Sequence, residues 1–76
     1  MNIIYSIHAR KNMIERRISK EDVEEAILNP DKITESRKGR KISQKVIGNR
    51  LLRVIYLQTE KVYIIVTSYY TRLGKY

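Results

Sequence analysis

An arginine inside an apolar run is the residue of this sequence with the clearest chemical potential. Arg53 interrupts the run from Leu51 to Leu57. A bare charge is costly to bury, so we expect its guanidinium either to pair with a carboxylate or to turn into an open groove. In a groove, a guanidinium can bind a phosphate through two parallel hydrogen bonds. Arg53 is therefore our first candidate for a catalytic phosphate contact.

Further basic and aromatic residues lie around Arg53 in the sequence. The residues that we predict to bind nucleic acid are Arg40, Lys41, Lys45, Arg50, Tyr69, Tyr70, Arg72 and Lys75. Arginine binds phosphate bidentately and lysine acts as a point charge, so these groups at strand spacing would form a phosphate-binding surface. For Lys38 and Lys41 the alternative is a solvated basic loop.

The tyrosines are the only aromatic residues. Tyr69, Tyr70 and Tyr76 lie in or near a basic tail, where a tyrosine ring can stack on a base and its hydroxyl can bind phosphate. Tyr76 is a candidate for catalysis. The alternative role is packing, and packing is what we expect of Tyr56 and Tyr63.

The single histidine, His8, is the other candidate for proton transfer, because histidine is the side chain whose ordinary pKa lies nearest neutrality. It stands at a strand-to-helix junction. We predict that it is a general acid or base or a phosphate contact. The alternative is a hydrogen bond that fixes the start of the first helix.

The sequence offers no cysteine, one histidine and no carboxylate cluster with the spacing of a metal site. We therefore expect no metal and no cofactor. An enzyme built from these residues would work by electrostatic stabilisation from Arg, Lys and Tyr.

The charge is distributed unevenly along the chain. Residues 1–35 hold six bases and seven acids, a net charge of −1, whereas residues 36–76 hold ten bases and one acid, a net charge of +9. This asymmetry favours a polyanionic partner, and nucleic acid first. The alternative is a soluble basic surface without a specific ligand.

The 76 residues predict one domain, residues 1–76, of the α+β class. A short strand over 2–7 is followed by a helix over 8–17 and by a second helix. That helix begins at a cap formed by Ser19 and Asp22 and ends at Asn29-Pro30.

Alternating residues predict strands over 32–37, 41–47, 50–58 and 61–70, which make an antiparallel sheet of about four strands. Two helices cannot cover both faces, so we expect the second face to stay open and to hold basic and aromatic side chains. Alternation places Leu52 and Tyr56 on the face opposite Arg53. In the last strand it places Ile65 and Tyr69 on one face.

No apolar run approaches the ~20 residues that a membrane helix requires. The first residues also lack the features of a signal peptide. We therefore expect a cytoplasmic domain that does not contact membranes.

Motifs along almost the whole chain resemble a family of short prokaryotic domains of unknown function. They are His8-Ala9-Arg10, Met13, Arg16-Arg17-Ile18-Ser19, Asp22-Val23-Glu24-Glu25-Ala26, Asn29-Pro30-Asp31, Gly39-Arg40, Leu51-Leu52-Arg53-Val54-Ile55-Tyr56 and Val66-Thr67. The layout is also similar to the BrnT-type toxins of the RelE/ParE-like superfamily, in the start and stop of the second helix and in the basic C-terminus ending in Tyr.

The resemblance to these toxins implies helices on one face of the sheet and a basic groove on the other. The ribonucleases among them cleave RNA without a metal, using Arg, Lys, Tyr or His around the scissile phosphate. By position, Arg53 matches a residue of that groove and Tyr76 matches the terminal tyrosine.

The function that we predict first is a toxin-like, metal-independent endoribonuclease of a toxin–antitoxin type system. Its catalytic residues would be His8, Arg53 and Tyr76. Its partners would be RNA, free or bound to the ribosome, and an acidic antitoxin protein. The alternatives are a non-catalytic nucleic-acid-binding module and a protein-interaction domain that docks an acidic partner.

Overall fold

Two helices pack on one face of a five-stranded sheet. The computed structural model describes residues 2–76. The elements in chain order are β1 (Asn2–Tyr5), α1 (Ile7–Arg16), α2 (Lys20–Leu28), β2 (Lys32–Glu35), β3 (Lys41–Ile47), β4 (Arg50–Gln58) and β5 (Val62–Arg72), with a 3-10 turn at Arg37–Gly39 between β2 and β3. Within residues 2–76, no helix is long and apolar enough to span a membrane.

The strand order is β1-β5-β4-β3-β2. The strands from β2 to β5 form an antiparallel meander, and β1 pairs with β5 in parallel. The predicted α+β class is therefore confirmed, whereas the predicted antiparallel sheet of about four strands is corrected to a mixed sheet of five. Alternation identifies strands but does not show which strands pair, so it could not place β1 beside β5.

Serine side chains cap both helices. The hydroxyl of Ser19 accepts a hydrogen bond from the backbone N–H of Asp22 at 3.1 Å, which confirms the predicted cap of α2. The hydroxyl of Ser6 accepts from the N–H of Ala9 at 3.0 Å. Ser6 therefore caps α1, and the alternative role of His8 in fixing the start of this helix is wrong.

The core lies between the helices and one face of the sheet. The buried apolar residues that form it are Ala9, Met13, Ile18, Val23, Ala26, Ile27, Leu52, Val54, Tyr56 and Ile65. The ring of Tyr63 packs edge-on against that of Tyr56 at a centroid distance of 5.7 Å. The packing role expected of Tyr56 and Tyr63 is confirmed. We call the side that carries the helices the helix face and the other side the open face.

A register shift in β5 decides which residues reach the open face. Ile55 pairs with Thr67, and Tyr56 pairs with Ile65, which leaves Val66 as an extra residue. Directly paired residues share a face, so Ile65 lies on the helix face with Tyr56. The prediction that Ile65 and Tyr69 share a face is wrong, because a β-bulge interrupts the alternation.

Candidate functional site

Arg53 occupies the centre of the open face. It is 8% exposed, and its neighbours across the sheet are Gln44 on β3 and Tyr69 on β5. Its Nη1 donates a hydrogen bond to the Tyr69 hydroxyl at 2.9 Å. Among residues 2–76 no carboxylate lies within 4.0 Å of its guanidinium. The carboxylate partner that the sequence allowed is therefore absent among these residues, and the guanidinium lies buried beneath other side chains of this face rather than in an exposed groove.

The segment that follows β5 folds back over Arg53. Gly74 has φ +85°, a backbone conformation that glycine adopts without strain, and it lies two residues before Tyr76. The ring centroid of Tyr76 lies 3.6 Å from Cζ of Arg53. We call Arg53, Tyr69 and Tyr76 the Arg53 cluster. Two of the three predicted catalytic residues, Arg53 and Tyr76, thus come together with Tyr69, which was predicted to bind nucleic acid.

The two tyrosines of the cluster have pKa values displaced in opposite directions. Burial raises the pKa of Tyr69, and the hydrogen bond between its side chain and Tyr76 raises it further. The same hydrogen bond is the main cause that lowers the pKa of Tyr76, and the charges of Arg53 and Lys75 add to this effect. As the pH rises, Tyr76 therefore loses its proton first, and Tyr69 keeps its proton longer.

Gln44, Arg53 and Tyr69 form a row across the open face. Two polar atoms of this row lack a hydrogen-bond partner within residues 2–76. Nε of Arg53 and Oε1 of Gln44 are buried and have no hydrogen-bond partner among the described residues. Buried polar groups are normally paired. Of the five N–H donors of a guanidinium, only one bonds Tyr69. The Arg53 guanidinium therefore keeps donors that no described residue occupies.

Sequence reasoning overlooked Gln44, although the signal was present. A two-residue turn fixes the register of a hairpin, and counting outward from Gly48-Asn49 places Gln44 opposite Arg53.

The rest of the open face near the cluster is largely apolar. Ile42 pairs with Ile55, and Leu57 pairs with Ile64. At its margins, Ile4 is 48% exposed and Val46 is 46% exposed. The Arg53 cluster is therefore the polar centre of an apolar surface.

Five of the predicted nucleic-acid-binding residues occupy strand positions that belong to the helix face. They are Lys41, Lys45, Arg50, Tyr70 and Arg72. Nζ of Lys41 lies 3.4 Å from Oε1 of Gln58, and Nζ of Lys45 lies 3.5 Å from Oδ1 of Asp31. The expectation that the basic and aromatic side chains share the open face is therefore corrected. Strand alternation divides them between the two faces.

The other predicted cations lie outside the sheet. Arg40 is exposed and follows the 3-10 turn. Nζ of Lys75, in the segment after β5, lies 5.7 Å from the centroid of the Tyr76 ring.

The structure places His8 on a different part of the molecule. It is exposed on α1 and lines a shallow pocket of about 160 Å³ with Lys11, Asn12, Glu15 and Arg16. None of these residues belongs to the Arg53 cluster.

Helix α1 lies along the edge of β5. Nδ2 of Asn12 donates to Oγ1 of Thr67 at 2.6 Å, and Nη1 of Arg16 donates to the carbonyl of Ser68 at 2.6 Å. These bonds satisfy polar groups at the sheet edge, which gives the neighbours of His8 a structural role.

Comparison with known proteins identifies a family for this chain. Residues 5–70 match the model of a family described as a domain of unknown function, DUF4258. No curated protein and no solved structure matches the chain. The resemblance to a family of small domains of unknown function is confirmed, and nothing in these comparisons links the chain to the RelE/ParE-like toxins.

Proposed function

We propose that this chain, which belongs to the DUF4258 family, binds RNA at the Arg53 cluster and cleaves it without a metal ion. The observation that carries the proposal is the state of Arg53. Its side chain is almost fully buried, has no carboxylate within 4.0 Å among the described residues, and is held between a tyrosine hydroxyl and a tyrosine ring. A cation kept in this state without a counter-ion is suited to bind an anion.

The charge of the chain supports a polyanionic ligand. The +9 on residues 36–76 includes Arg53 and the cations on both strands beside it. Such a field attracts nucleic acid from solution. The cluster then supplies the short-range contact, because a guanidinium that is held in place can bind a phosphate bidentately.

The chemistry that fits the cluster is transfer of the phosphate to the 2′-oxygen of the RNA. Tyr76, in its phenolate form, accepts the proton of the 2′-hydroxyl, the bond from O2′ to phosphorus forms, and the bond from phosphorus to O5′ breaks. Tyr69 donates a proton to O5′, and Arg53 stabilises the charge on the phosphoryl oxygens. The products are a 2′,3′-cyclic phosphate and a 5′-hydroxyl.

The divergent pKa values of the two tyrosines support these roles, since an acid and a base are distinguished by environments that move their pKa values apart. His8 has no part in this arrangement, because it lies among a different set of residues.

The toxin–antitoxin setting is a further part of the proposal. Metal-free ribonucleases of the RelE/ParE-like superfamily, which the sequence resembles, use Arg and Tyr around the scissile phosphate. In that setting the substrate is RNA, free or on the ribosome, and an acidic antitoxin covers the basic surface.

Binding to RNA is tested by its dependence on salt. If three to five phosphates are neutralised, log K falls with log salt at a slope of about −2 to −5. Arg53→Ala weakens binding more than Lys38→Ala, because Lys38 lies in an exposed turn. An affinity that does not change between low and moderate salt contradicts the proposal.

Cleavage is tested with EDTA and with a modified substrate. We expect cleavage to continue in EDTA and to stop when the 2′-hydroxyl at the cut site is replaced by 2′-methoxy, because that oxygen is the nucleophile. Cleavage of the methoxy substrate, or loss of activity in EDTA with rescue by magnesium, rejects the mechanism. If RNA is bound but never cleaved, the non-catalytic binding module is correct.

The apolar lining of the open face favours a second candidate function, the docking of an acidic protein segment. Ile55 and Leu57 would pack against apolar side chains of the partner, and Arg53 would receive a carboxylate. The effect of Leu57→Ser on RNA separates the two functions. RNA affinity is unaffected if phosphate contacts dominate, and the effect on binding of a protein segment is large because apolar burial drives such docking.

A further inference from the structure

A second arginine site lies at the end of the sheet, on the helix face. We propose that Arg50 and Arg72, with Arg50 held on the ring of Tyr70, bind a phosphate of the same RNA strand whose scissile phosphate lies at Arg53, so that the substrate is single-stranded RNA bent around the sheet end. We call these three residues the Arg50 site. The inference rests on the proposed function and adds the class of RNA.

The two arginines of the site occupy directly paired positions on neighbouring strands. Arg50, the first residue of β4, pairs directly with Arg72, the last residue of β5. Like charges directly opposite on neighbouring strands destabilise a sheet. Within the described residues neither guanidinium has a carboxylate within 4.0 Å. A phosphate between them would remove the repulsion and occupy donors of both.

Contacts below the site hold Arg50 in place. Its Cζ lies 3.8 Å from the ring centroid of Tyr70. The Tyr70 hydroxyl donates to Oδ2 of Asp22 on α2 at 2.8 Å, which fixes the ring. A guanidinium stacked on an aromatic face keeps its N–H edge free for hydrogen bonds. Arg50 is therefore better ordered than a mobile surface cation.

The two sites are close together but lie on opposite faces. Arg50 and Arg53 are three residues apart on β4, which separates them by about 10 Å along the strand and turns their side chains to opposite faces. Four residues, Leu73 to Tyr76, connect the end of β5 to the ring over Arg53. Four residues span at most about 14 Å, and this length limits the path from one site to the other around the sheet end. About four stacked nucleotides, at ~3.4 Å each, cover the same distance.

The change of face determines the class of nucleic acid. A duplex is stiff, with a persistence length of about 50 nm for DNA, so bending it sharply over a few base pairs is costly. A single strand bends freely about its backbone torsions. Only a single strand can reach both sites on one molecule of this protein.

The test measures fluorescence anisotropy with a labelled ten-nucleotide RNA in which every 2′-hydroxyl is 2′-methoxy, so that it is not cleaved. The same strand is measured alone and annealed to its complement. The proteins are the wild type, Arg50→Ala, Arg53→Ala and the matched control Arg10→Ala. Arg10 is an exposed residue of α1 that belongs to neither site.

We expect Arg50→Ala to weaken binding of the single strand about tenfold, the usual effect of losing a charge-assisted contact. Arg53→Ala has a similar effect. Arg10→Ala changes the affinity by less than about twofold, and Arg50→Ala changes duplex binding by no more than the control. Arg50→Lys has an intermediate effect because the charge remains and the stacked fork is lost.

Several results overturn the inference, and they are distinct from failure of the proposed function. If Arg50→Ala equals the control on the single strand, or weakens the duplex equally, the inference fails, while a persisting effect of Arg53→Ala keeps the proposed function. If Arg53→Ala binds like the wild type, the two-site path and the proposed function both fail. Thermal melting of each variant checks that it is folded.

Discussion

Neighbouring residues of β4 are buried in different ways on the two faces of the strand. On the helix face, Leu52 and Val54 are completely buried and Tyr56 is 2% exposed, all within the apolar core. On the open face, Leu51 and Arg53 are also only 8% exposed, but no helix covers them. Their shielding comes from neighbouring strands and, over Arg53, from the ring of Tyr76. Alternation along one strand thus separates residues that are buried by the helices from residues that are shielded only by the sheet and by Tyr76.

Unsatisfied polar groups occur on both faces, but only one carries a charge. The hydroxyls of Ser43 and Ser68 are buried without hydrogen-bond partners among the described residues, and both pair with Val54 on the helix face. A neutral hydroxyl costs far less to bury than a guanidinium. The free-energy cost of burying the Arg53 guanidinium is therefore the feature that stability alone does not explain.

Truncation of leucine is the largest expected effect and tests the contrast in packing. Leu52→Ala should lower the free energy of unfolding by about 2–5 kcal/mol, because it leaves a cavity in the core. Leu51→Ala should cost less than half as much, since water can reach the space that it leaves. Urea unfolding followed by circular dichroism measures both. Equal losses would mean that the open face is packed as tightly as the helix face.

Removal of one phenol tests the chemistry of the open face. Tyr76→Phe keeps the ring over Arg53 and should lower the cleavage rate about 10²-fold with RNA affinity unchanged, the usual effect of losing a general base. Because the pKa of Tyr76 is lowered, the wild-type rate should rise with pH and level off below the ordinary tyrosine value of 10.0. The variant should lose this rise.

The matched control for this substitution is Tyr63→Phe, which removes a phenol on the helix face. A variant Tyr76→Phe with the rate and pH profile of this control would remove Tyr76 from the mechanism.

Replacement of the buried cation tests whether Arg53 serves binding or stability. Arg53→Met should leave the free energy of unfolding unchanged or raise it by about 1 kcal/mol, because an apolar side chain of similar length avoids the desolvation of the charge. RNA affinity should fall about tenfold. Thermal melting and anisotropy measure the two quantities. A lower melting temperature with unchanged affinity would make Arg53 a structural residue.

A contact at the protein surface gives the smallest expected effect on stability. It is a reference for the effects of substitutions on the two faces. Oδ2 of Asp31 accepts a hydrogen bond from the N–H of Val46 at 2.7 Å, and this bond, with Lys45, lowers the pKa of Asp31 below 3.8. The stability that it contributes is present above pH 3.8 and is lost as the pH falls through the lowered value. The variant Asp31→Asn should therefore have a slightly lower melting temperature than the wild type at pH 7.

Melting curves recorded over a pH series check this sign. The two proteins should converge in acid, where the wild-type carboxyl is protonated as well. A difference that persists unchanged into acid would show that the charge of Asp31 is not its cause.

Local signals in the sequence determined most elements and part of the site. The bounds of β3 and β4 were predicted correctly, because Gly48-Asn49 favours a tight turn between two alternating runs. The cap at Ser19 and the end of α2 at Asn29 follow from interactions within a few residues. The same alternation placed Arg53 on the face of the strand opposite to that of Leu52 and Tyr56. Each of these features depends on neighbours along the chain, and the sequence contains those neighbours directly.

Only the tertiary structure decided the features that join distant residues. The parallel pairing of β1 with β5 connects segments about sixty residues apart, and no local pattern specifies it. The bulge at Val66 turns Tyr69 toward Arg53, whereas uninterrupted alternation would group it with Ile65. The return of Tyr76 over Arg53 depends on the turn at Gly74. A strand repeats every two residues, so a single extra residue reverses every face that follows, and only pairing across the sheet reveals where that residue lies.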